Sequence, residues 1–144
     1  MSWIYNGKVF EPKMIPEGAI GFVYEMSAII NGKSLLYIGK KNFHSNTKKK
    51  LGKKAMPTDK RKKGYVKVTK LAYEDYYSSN DVLKAAHKKG ITIQRKILRI
   101  CYSKTELTYN EVKFQFGHQV LESDSYLNGN ILGRFYKQKN NGKN

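Results

Sequence analysis

Cysteine, acidic residues and long apolar runs are scarce in this 144-residue sequence, and each shortage excludes a class of protein. The single Cys101 cannot form an internal disulfide, which excludes a disulfide-stapled scaffold and predicts a buried thiol in a reducing compartment. No apolar run approaches the length of a membrane span, and the polar, mixed segment after Met1 does not fit a signal peptide. The sequence therefore predicts a cytoplasmic protein without a membrane partner.

Acidic residues are outnumbered by basic ones, with 11 Asp and Glu against 28 Lys and Arg, so the formal net charge is +17. An excess of this size predicts a polyanionic partner, because contacts to phosphates supply most non-specific affinity for nucleic acid. A ribosomal-type protein and a membrane-surface protein are the alternatives. The length predicts one domain, and 40% hydrophobic residues are enough for a globular core without metals or disulfides.

Two apolar segments joined by a tight turn predict a β-hairpin around which the rest of the chain is arranged. The segments are residues 21–24 and 35–38, and Asn31-Gly32 lies between them. Asn-Gly tolerates the positive φ angles of a type I′ turn, which makes it the strongest short signal for a hairpin. Each strand contains one tyrosine, and Gly39 after the second strand permits the close approach of a backbone or ligand.

The two strands contain Phe-Val-Tyr at residues 22–24 and Tyr-Ile-Gly at residues 37–39. This pair resembles the two signature tripeptides of the GIY-YIG nuclease family, with the turn at a suitable spacing between them. The second tripeptide matches in every letter, whereas the first departs from Gly-Ile-Tyr and has Gly21 one place early. Tyr-Tyr-Ser-Ser at residues 76–79 also resembles free-standing, phage-type members, for which the cytoplasm is that of the host. An ordinary hairpin whose tyrosines pack in the core is the alternative.

The resemblance implies a small α/β (α+β) domain with a central, three-stranded, mainly antiparallel sheet flanked by helices. The expected domain covers residues 18–135 and contains a lysine-rich insertion at residues 40–70. A lead-in at residues 1–17, irregular or a short strand, precedes it and contributes aromatic residues that cap the core. A disordered tail at residues 136–144 is expected to follow.

Alternation of apolar and polar residues predicts a short strand at residues 65–69, and a longer strand is predicted at residues 91–101. Between them, Ser79 or Asn80 can cap a helix that Gly90 ends. No second His or Cys lies at metal-ligand spacing from its one histidine, which favours a surface or half-buried position for that side chain. The predicted buried face of this helix consists of Val82, Leu83, Ala86 and, in the half-buried alternative, His87.

A capping box predicts the start of a second helix, because Ser103 can accept a hydrogen bond from the backbone and Glu106 can reach back. The helix is predicted to extend to Leu121. Glu111 lies in its middle, among neighbours that are mostly aromatic or basic. The residues predicted to face the core are Leu107, Val112, Phe116 and Val120.

The resemblance also implies a metal site. The family places a metal-binding glutamate on a helix after the third strand, and that role falls to Glu111, with a solvated glutamate paired with a lysine as the alternative. Oxygen ligation by one carboxylate, waters and phosphate suits Mg²⁺ or another divalent ion such as Mn²⁺. The family's terminal asparagine, which orients the site, corresponds to Asn128 or Asn130, with Asn128 preferred.

Tyr24 is the implied general base, acting as a phenolate or through a water, and Tyr37 is implied to position the water or phosphate. Because a free tyrosine has a pKa near ~10, nearby cations are expected to lower the pKa of Tyr24. The family's arginine is missing at its usual spacing, and its role falls to Lys40 or a neighbour. The candidates are Lys40, Lys41, His44 and Arg61.

A lysine-rich tract follows the hairpin and contains Asp59 as its single acid. A block of one charge sign beside a candidate active site suits an arm that follows phosphates, with a solvated, mobile loop as the alternative. The expected function is a metal-dependent endonuclease that hydrolyses phosphodiester bonds of duplex DNA. A catalytically silent nucleic-acid-binding module and an RNA-binding structural protein are the alternatives. The predicted DNA-binding residues are Lys41, His44, Lys48, Lys49, Lys50, Lys53, Lys54, Arg61, Lys62 and Lys63.

Overall fold

The computed structural model describes the backbone of residues 2–50 and 65–138, and the side chains of these residues except 47–50 and 65–68. Predictions that concern Lys53, Lys54 and Arg61 to Lys63 therefore lie outside the described residues, as do those for residues 139–144. In chain order the elements are β1 (Trp3–Tyr5), β2 (Lys8–Val9), a 3-10 turn (Pro12–Met14), β3 (Gly21–Ile30), β4 (Lys33–Asn42), β5 (His44–Lys50), β6 (Tyr65–Leu71), α1 (Asp81–Lys88), β7 (Gln94–Cys101), α2 (Lys104–Gly117), β8 (Asn130–Ile131) and β9 (Phe135–Tyr136).

The main sheet has five strands in the order β2-β1-β7-β3-β4, two more than the three expected. β1 runs parallel to β7 and the other neighbouring pairs are antiparallel, so the sheet is mixed but mainly antiparallel. The two additional strands come from the lead-in, where Asn6 and Gly7 take positive φ angles of 51° and 78° and turn the chain back. The short strand, one of the two alternatives for the lead-in, is therefore confirmed, and its Trp3 is buried.

The hairpin predicted between β3 and β4 is confirmed. Asn31 and Gly32 take φ angles of 51° and 77°, as a type I′ turn requires. Each strand has ten residues, because the pairing continues well beyond the two apolar segments that identify it. β4 extends to Asn42, so Lys40 and Lys41 belong to the hairpin and not to a lysine-rich insertion.

The described ends of the lysine-rich tract are strands and not a loop. β5 pairs with β6 in an antiparallel ribbon that runs from His44 opposite Leu71 to Lys50 opposite Tyr65. Thr69 Oγ1 donates a hydrogen bond to Asn46 Oδ1 at 2.7 Å, which links the two strands by their side chains. The strand predicted at residues 65–69 is therefore confirmed, and this part of the tract is a β-ribbon rather than the loop given as the alternative.

Helix α1 begins and ends near the predicted residues. Asn80 is its N-cap, with Oδ1 accepting from the N–H groups of Val82 at 3.0 Å and Leu83 at 3.3 Å. Leu83 and Ala86 are buried as predicted, whereas Val82 is wrong as a core residue because it lies on the outer side of the first turn, 43% exposed. His87 is on the surface, where its ring stacks on Tyr77 with centroids 3.7 Å apart.

Helix α2 begins at the predicted cap and ends earlier than predicted. Ser103 Oγ accepts from the N–H of Glu106 at 3.0 Å. The helix ends at Gly117 rather than Leu121, and the chain then turns through residues 118–122. Leu107 is in the core as predicted, but Phe116 is 47% exposed and the polar Gln115 is buried instead, because Gln115 bonds to the sheet.

Two apolar clusters cover the two faces of the sheet. One contains most of the aromatic residues, among them Trp3, Phe22 and Tyr24, and the other lies under α2 and contains Cys101, confirming the buried thiol.

At the C-terminal side, β8 and β9 form a small separate hairpin, so Tyr136 is a strand residue and not the start of a disordered tail. Neither helix in the described part of the chain is long and apolar enough to cross a membrane.

Candidate active site

The hairpin brings Tyr24 and Tyr37 to the same face of the sheet. Tyr24 lies opposite Gly39 in the β3–β4 register, and Tyr37 lies opposite Met26, two residues further along β3. Side chains two positions apart on a strand point to the same face, and the two tyrosine rings accordingly have centroids 6.3 Å apart. Trp3 of β1 packs edge-on against the Tyr24 ring at 5.7 Å, which holds the ring from the core side.

Gly39 lies between the two tyrosines, at a position where the side chain of any larger residue would collide with them. A Cβ at this position would lie 2.6 Å from Tyr24 Oη and 3.0 Å from Tyr37 Cε1. The first distance is shorter than van der Waals contact, so a side chain here would displace the Tyr24 hydroxyl. The close approach expected at Gly39 is thus made by the hairpin's own tyrosine.

The Tyr24 hydroxyl lies in a small polar group formed by the segment before α1. Its Oη is 3.2 Å from Tyr76 Oη and 3.5 Å from Ser78 Oγ, to which it donates. Burial raises the pKa of Tyr24 far above its ordinary value, and the neighbouring Tyr76 adds to the shift. The expectation that nearby cations lower the pKa of Tyr24 is therefore wrong for this structure, and Tyr24 is protonated at neutral pH.

Tyr37 occupies a less enclosed position at the edge of the same cluster. Burial is again the main cause that raises the pKa of its hydroxyl, while a hydrogen bond with Ser79 lowers it. Electrostatic interactions with Tyr76 and with the carboxylate of Glu111 raise the pKa of Tyr37 further. Tyr37 is thus close enough to Glu111 for the charge of that carboxylate to affect its ionisation.

Helix α2 places three polar side chains along the edge strand β4. Thr108, Glu111 and Gln115 are spaced three and four residues apart and so lie on one side of the helix. Lys40 on β4 donates from Nζ to Thr108 Oγ1 at 2.9 Å, and the same nitrogen is 4.0 Å from Glu111 Oε1. Gln115 Nε2 donates to the carbonyl of Ile38 at 3.0 Å. These contacts fix Glu111 next to the second signature tripeptide.

Glu111 is a largely buried carboxylate with few partners. Its side chain is 18% exposed, and within the described residues it accepts no hydrogen bond. Burial raises the pKa of Glu111, and the nearby charge of Lys40 partly offsets the increase. The carboxylate oxygens are therefore desolvated without being saturated by protein donors.

Of the two candidate asparagines, Asn128 reaches the hairpin. Its Oδ1 accepts from the N–H of Ile38 at 3.1 Å and its Nδ2 donates to the carbonyl of the same residue at 2.7 Å. Asn130 is exposed at the start of β8, where its Oδ1 accepts from the N–H of Gly133 at 2.9 Å. Asn128 acts on the backbone directly before Gly39, whereas Asn130 shapes a surface turn.

Lys40 and Lys41, two of the four candidates for the role of the family's arginine, lie next to the other candidate site residues. Lys40 bonds to Thr108, and Lys41 Nζ lies 4.6 Å from the centroid of the Tyr76 ring. His44 begins β5 with an exposed side chain that makes no hydrogen bond or ion pair with a described residue. Arg61 lies outside the described part of the chain, and so do the side chains of Lys48, Lys49 and Lys50.

The match to a known family model agrees with this geometry. Residues 3–131, most of the chain, match the model described as "Putative endonuclease segE, GIY-YIG domain". The chain belongs to the GIY-YIG nuclease family. No curated protein and no solved structure gives a significant match to it. The matched GIY-YIG domain includes β1, the strand that packs Trp3 against Tyr24.

The site of this GIY-YIG domain fits a metal ion bound through one carboxylate. The described residues contain no group of three or more His, Cys, Asp or Glu side chains that could hold a metal by themselves. The carboxylate oxygens of Glu111 accept no hydrogen bond from those residues. Lys40 Nζ lies 4.0 Å from Glu111 Oε1, which is a long distance for an ion pair. Such a donor set suits a hard cation whose remaining ligands are water and phosphate oxygens.

Sequence reasoning did not assign a role to several residues that complete the site of the GIY-YIG domain. Tyr76 and Ser78 bond to Tyr24, and their segment could have been found from its resemblance to phage-type members. Arg95 positions that segment, since its Nη1 donates to the carbonyls of Glu74 at 2.7 Å and Tyr76 at 2.9 Å. No local signal in the sequence identifies the remaining contacts of the site, which are made by Thr108 and Gln115.

Proposed function

We propose that this GIY-YIG domain is a divalent-metal-dependent endonuclease that hydrolyses phosphodiester bonds in duplex DNA. The observation that carries the proposal is the position of Glu111, which α2 holds beside Lys40 and within electrostatic reach of Tyr37. Hydrolysis of a phosphodiester requires a group that accepts the proton of the attacking water, a Lewis acid and cationic donors for the phosphate oxygens. The hairpin and α2 together offer one candidate for each requirement.

Glu111 is the proposed protein ligand of Mg²⁺, or of another divalent ion such as Mn²⁺. When bound, such an ion supplies the Lewis acid that stabilises the growing negative charge on the phosphate. The burial of Glu111 supports this role, because a desolvated carboxylate that accepts no hydrogen bond from the described residues interacts strongly with a cation. Lys40 is proposed in the role of the family's arginine, with its ammonium donating to a non-bridging phosphate oxygen.

Tyr24 is the proposed acceptor of the proton from the attacking water. Because burial keeps Tyr24 protonated, its own proton must leave as the proton of the water arrives. Either hydroxyl of the Tyr24–Tyr76 pair can donate across the 3.2 Å between them, so Tyr76 Oη can accept the Tyr24 proton while it releases its own proton to solvent from its partly exposed position. Tyr37 is proposed to orient the water or the phosphate, and Asn128 to hold the backbone that carries Tyr37 and Gly39.

DNA is the proposed substrate because the chain carries a formal net charge of +17. Lysines bound to phosphates release counterions, so each true contact adds about −0.9 to the slope of log affinity against log salt for duplex DNA. Lys41 and His44 lie on strands next to the site, and the lysine-rich tract follows them in the chain. Neutralising Lys48, Lys49, Lys50, Lys53 and Lys54 together is expected to flatten the salt dependence of binding.

Cleavage of a supercoiled plasmid, with Mg²⁺ and with EDTA, tests the proposal. Wild-type protein should cut only with the metal, and Glu111→Ala should abolish cleavage while DNA binding stays nearly intact, because Glu111 is not a proposed DNA contact. Glu106→Ala on the same helix is the matched control. It should keep its activity and lose about 1 kcal/mol or less of unfolding free energy, since Ser103 still caps α2.

The outcomes also separate the two other candidate functions. If wild-type protein binds DNA and never cuts it, the domain is a catalytically silent binding module. The protonated state of Tyr24 also favours this alternative. Stronger binding of RNA than of DNA in competition identifies an RNA-binding protein. Equal loss of binding and cleavage in Glu111→Ala contradicts the role of Glu111 as a metal ligand.

A further inference from the structure

Helix α2 presents a second stripe of side chains beside the one that faces β4. Thr105, Tyr109, Val112 and Phe116 follow one another at helical spacing and lie roughly a quarter-turn away from the Glu111 stripe. Val112 is partly buried against the apolar cluster under α2, and the two aromatic residues are its exposed members. Tyr109 is 66% exposed and Phe116 47% exposed. Large apolar side chains gathered on one exposed face are uncommon in a soluble domain and mark a binding surface.

The small β8–β9 hairpin extends this stripe into a wider surface. Phe135 meets Phe116 edge-on, with ring centroids 5.5 Å apart, and is itself 51% exposed. Leu132, 54% exposed, lines an open groove of about 550 Å³ together with Tyr109 and Val112. The α2 aromatic surface is defined here as Tyr109, Val112, Phe116, Leu132 and Phe135.

The α2 aromatic surface adjoins the candidate active site. Thr108 lines the groove and also accepts the hydrogen bond from Lys40 Nζ, the nitrogen that lies 4.0 Å from Glu111 Oε1. One residue thus separates the apolar groove from the proposed position of the phosphate. A nucleotide strand that leaves the site along α2 passes directly over this surface.

Three cations lie on the same two elements as the aromatic residues, α2 and the β8–β9 hairpin. Lys104 lines the groove, and Lys113 on α2 and Arg134 in the β8–β9 turn have exposed side chains. Aromatic rings interleaved with cations are the combination that single-stranded nucleic acid binds, with bases stacked on rings and phosphates paired with cations. A second copy of the chain is disfavoured as the occupant, because two molecules of charge +17 repel each other.

We propose that the α2 aromatic surface stacks the unpaired bases of a DNA strand next to the phosphate that is cut. The inference rests on the proposed function and extends it. It assigns the domain a substrate in which the strand is locally single-stranded or becomes so on binding. Tyr109 and Phe135 are the exposed rings available to stack on bases, and Lys104 and Lys113 contact the flanking phosphates.

Fluorescence anisotropy with a labelled oligothymidine and a labelled duplex of equal length, both in EDTA, tests the proposal. Tyr109→Ala combined with Phe135→Ala should weaken binding of oligothymidine by roughly 5- to 150-fold for each base that loses its stack, and binding of the duplex much less. The slope of log affinity against log salt should not change, because no phosphate contact is removed. Lys104→Gln with Lys113→Gln should instead reduce that slope.

Two further variants control for folding and for the general loss of apolar surface. Tyr109→Trp should retain the affinity for oligothymidine, since a larger ring still stacks. Ile29→Ala removes a 70% exposed apolar side chain near the tip of the β3–β4 hairpin and should leave binding of both probes unchanged. Thermal unfolding of each variant checks that the fold is retained. We expect that it is, because Tyr109 and Phe135 are exposed.

Equal weakening for oligothymidine and duplex, or no weakening, overturns the proposal. Sedimentation that shows a dimer dissociated by Phe135→Ala overturns it in favour of a second copy of the chain. Failure of the proposed function is distinguishable, because wild-type protein then does not cut the plasmid, while the Tyr109 and Phe135 substitutions still weaken oligothymidine binding more than duplex binding. Plasmid cleavage by wild-type protein without this selective weakening in the variant overturns the base-stacking surface alone.

Discussion

The side-chain amide of Asn128 bonds to both polar backbone groups of Ile38, accepting from its N–H at 3.1 Å and donating to its carbonyl at 2.7 Å. Ser125 and Leu127 do the same for Leu36 through their backbones, at 2.8 and 2.7 Å. The segment before β8 therefore covers the outer edge of β4 up to the residue before Gly39. The edge strand that carries Tyr37 is held in place by these bonds rather than by a further strand of the sheet.

Asn128→Asp should destabilise the domain by about 1–3 kcal/mol or more. The new carboxylate cannot donate to the Ile38 carbonyl and places a charge in a buried site. Asn130→Asp is the matched control, because Asn130 is exposed and its Oδ1 can still accept from Gly133, so its effect should stay within about 0.5 kcal/mol. Urea unfolding of both variants measures the difference, and equal effects would contradict the structural role of Asn128.

Tyr24→Phe should slow plasmid cleavage by about 10²- to 10⁴-fold, the contribution typical of a group that moves a proton. The fold should survive, because only a hydroxyl is lost and Ser78 keeps its hydrogen bond from the N–H of Asn80 at 3.1 Å. Single-turnover rates at saturating DNA measure the effect. A Phe variant with the wild-type rate would show that Tyr24 serves only as a core aromatic residue.

Tyr76→Phe tests the path of the proton. If the Tyr24 proton leaves through Tyr76 Oη, this variant should lose nearly as much rate as Tyr24→Phe, and the double variant little more than either one. Tyr77→Phe is the control, since Tyr77 neighbours Tyr76 in the chain but stacks on His87 instead. Independent, multiplicative losses in the double variant would refute a shared path.

Gly39→Ala should reduce cleavage strongly because the new Cβ would lie 2.6 Å from Tyr24 Oη and 2.8 Å from its Cζ. The Tyr24 ring is packed against Trp3 and Tyr76 and has little room to move. The same substitution at Gly129 is the control, since no atom lies within 4 Å of a Cβ there. Cleavage rate and unfolding free energy are the measurements, and a fully active Gly39→Ala protein would contradict the close packing of the site.

Glu111→Gln should raise the free energy of unfolding at neutral pH. The folded-state pKa of Glu111 is raised by burial, so between its unfolded and folded pKa values the folded state binds more protons, and stability falls as the pH rises through that window. Above the window the charged carboxylate therefore destabilises the fold, and the neutral amide removes this penalty.

The gain from Glu111→Gln should disappear below about pH 4, where the carboxyl group is protonated in both the folded and unfolded states. Urea unfolding at acidic and neutral pH measures the difference between the two proteins. A variant less stable than wild type at neutral pH would show that the ion pair with Lys40 outweighs the desolvation of the carboxylate. A stabilised but inactive protein would show that the domain retains Glu111 for chemistry at the expense of stability.

The sequence predicts the central hairpin well because both of its determinants are local. Asn31-Gly32 sets the turn, and the apolar segments on either side identify the strands. Asn6-Gly7 is the same dipeptide and forms the same kind of turn, but its strands have only three and two residues. The parallel pairing of β1 with β7 depends on residues more than ninety positions apart, which no local pattern records.

The candidate site was predictable only as far as the resemblance identifies its residues. Tyr24, Tyr37 and Glu111 follow from the resemblance, whereas Tyr76 reaches Tyr24 from a segment whose carbonyl oxygens accept hydrogen bonds from the distant Arg95 on β7. Helical periodicity placed Phe116 in the core, on the assumption that apolar side chains point inwards. The carbonyl of Ile38 instead draws the polar Gln115 inwards, and Phe116 is left on the surface.

The contacts that complete the site join parts of the chain made at different times during synthesis. Tyr24 and Tyr76 are 52 residues apart, and Ile38 and Asn128 are 90 residues apart. A nascent chain can form the β3–β4 hairpin early, but Glu111 and Asn128 reach it only after the later strands and α2 have left the ribosome. The domain should therefore fold slowly for its size, and an incomplete chain that already carries both signature tyrosines should have no means of cutting nucleic acid.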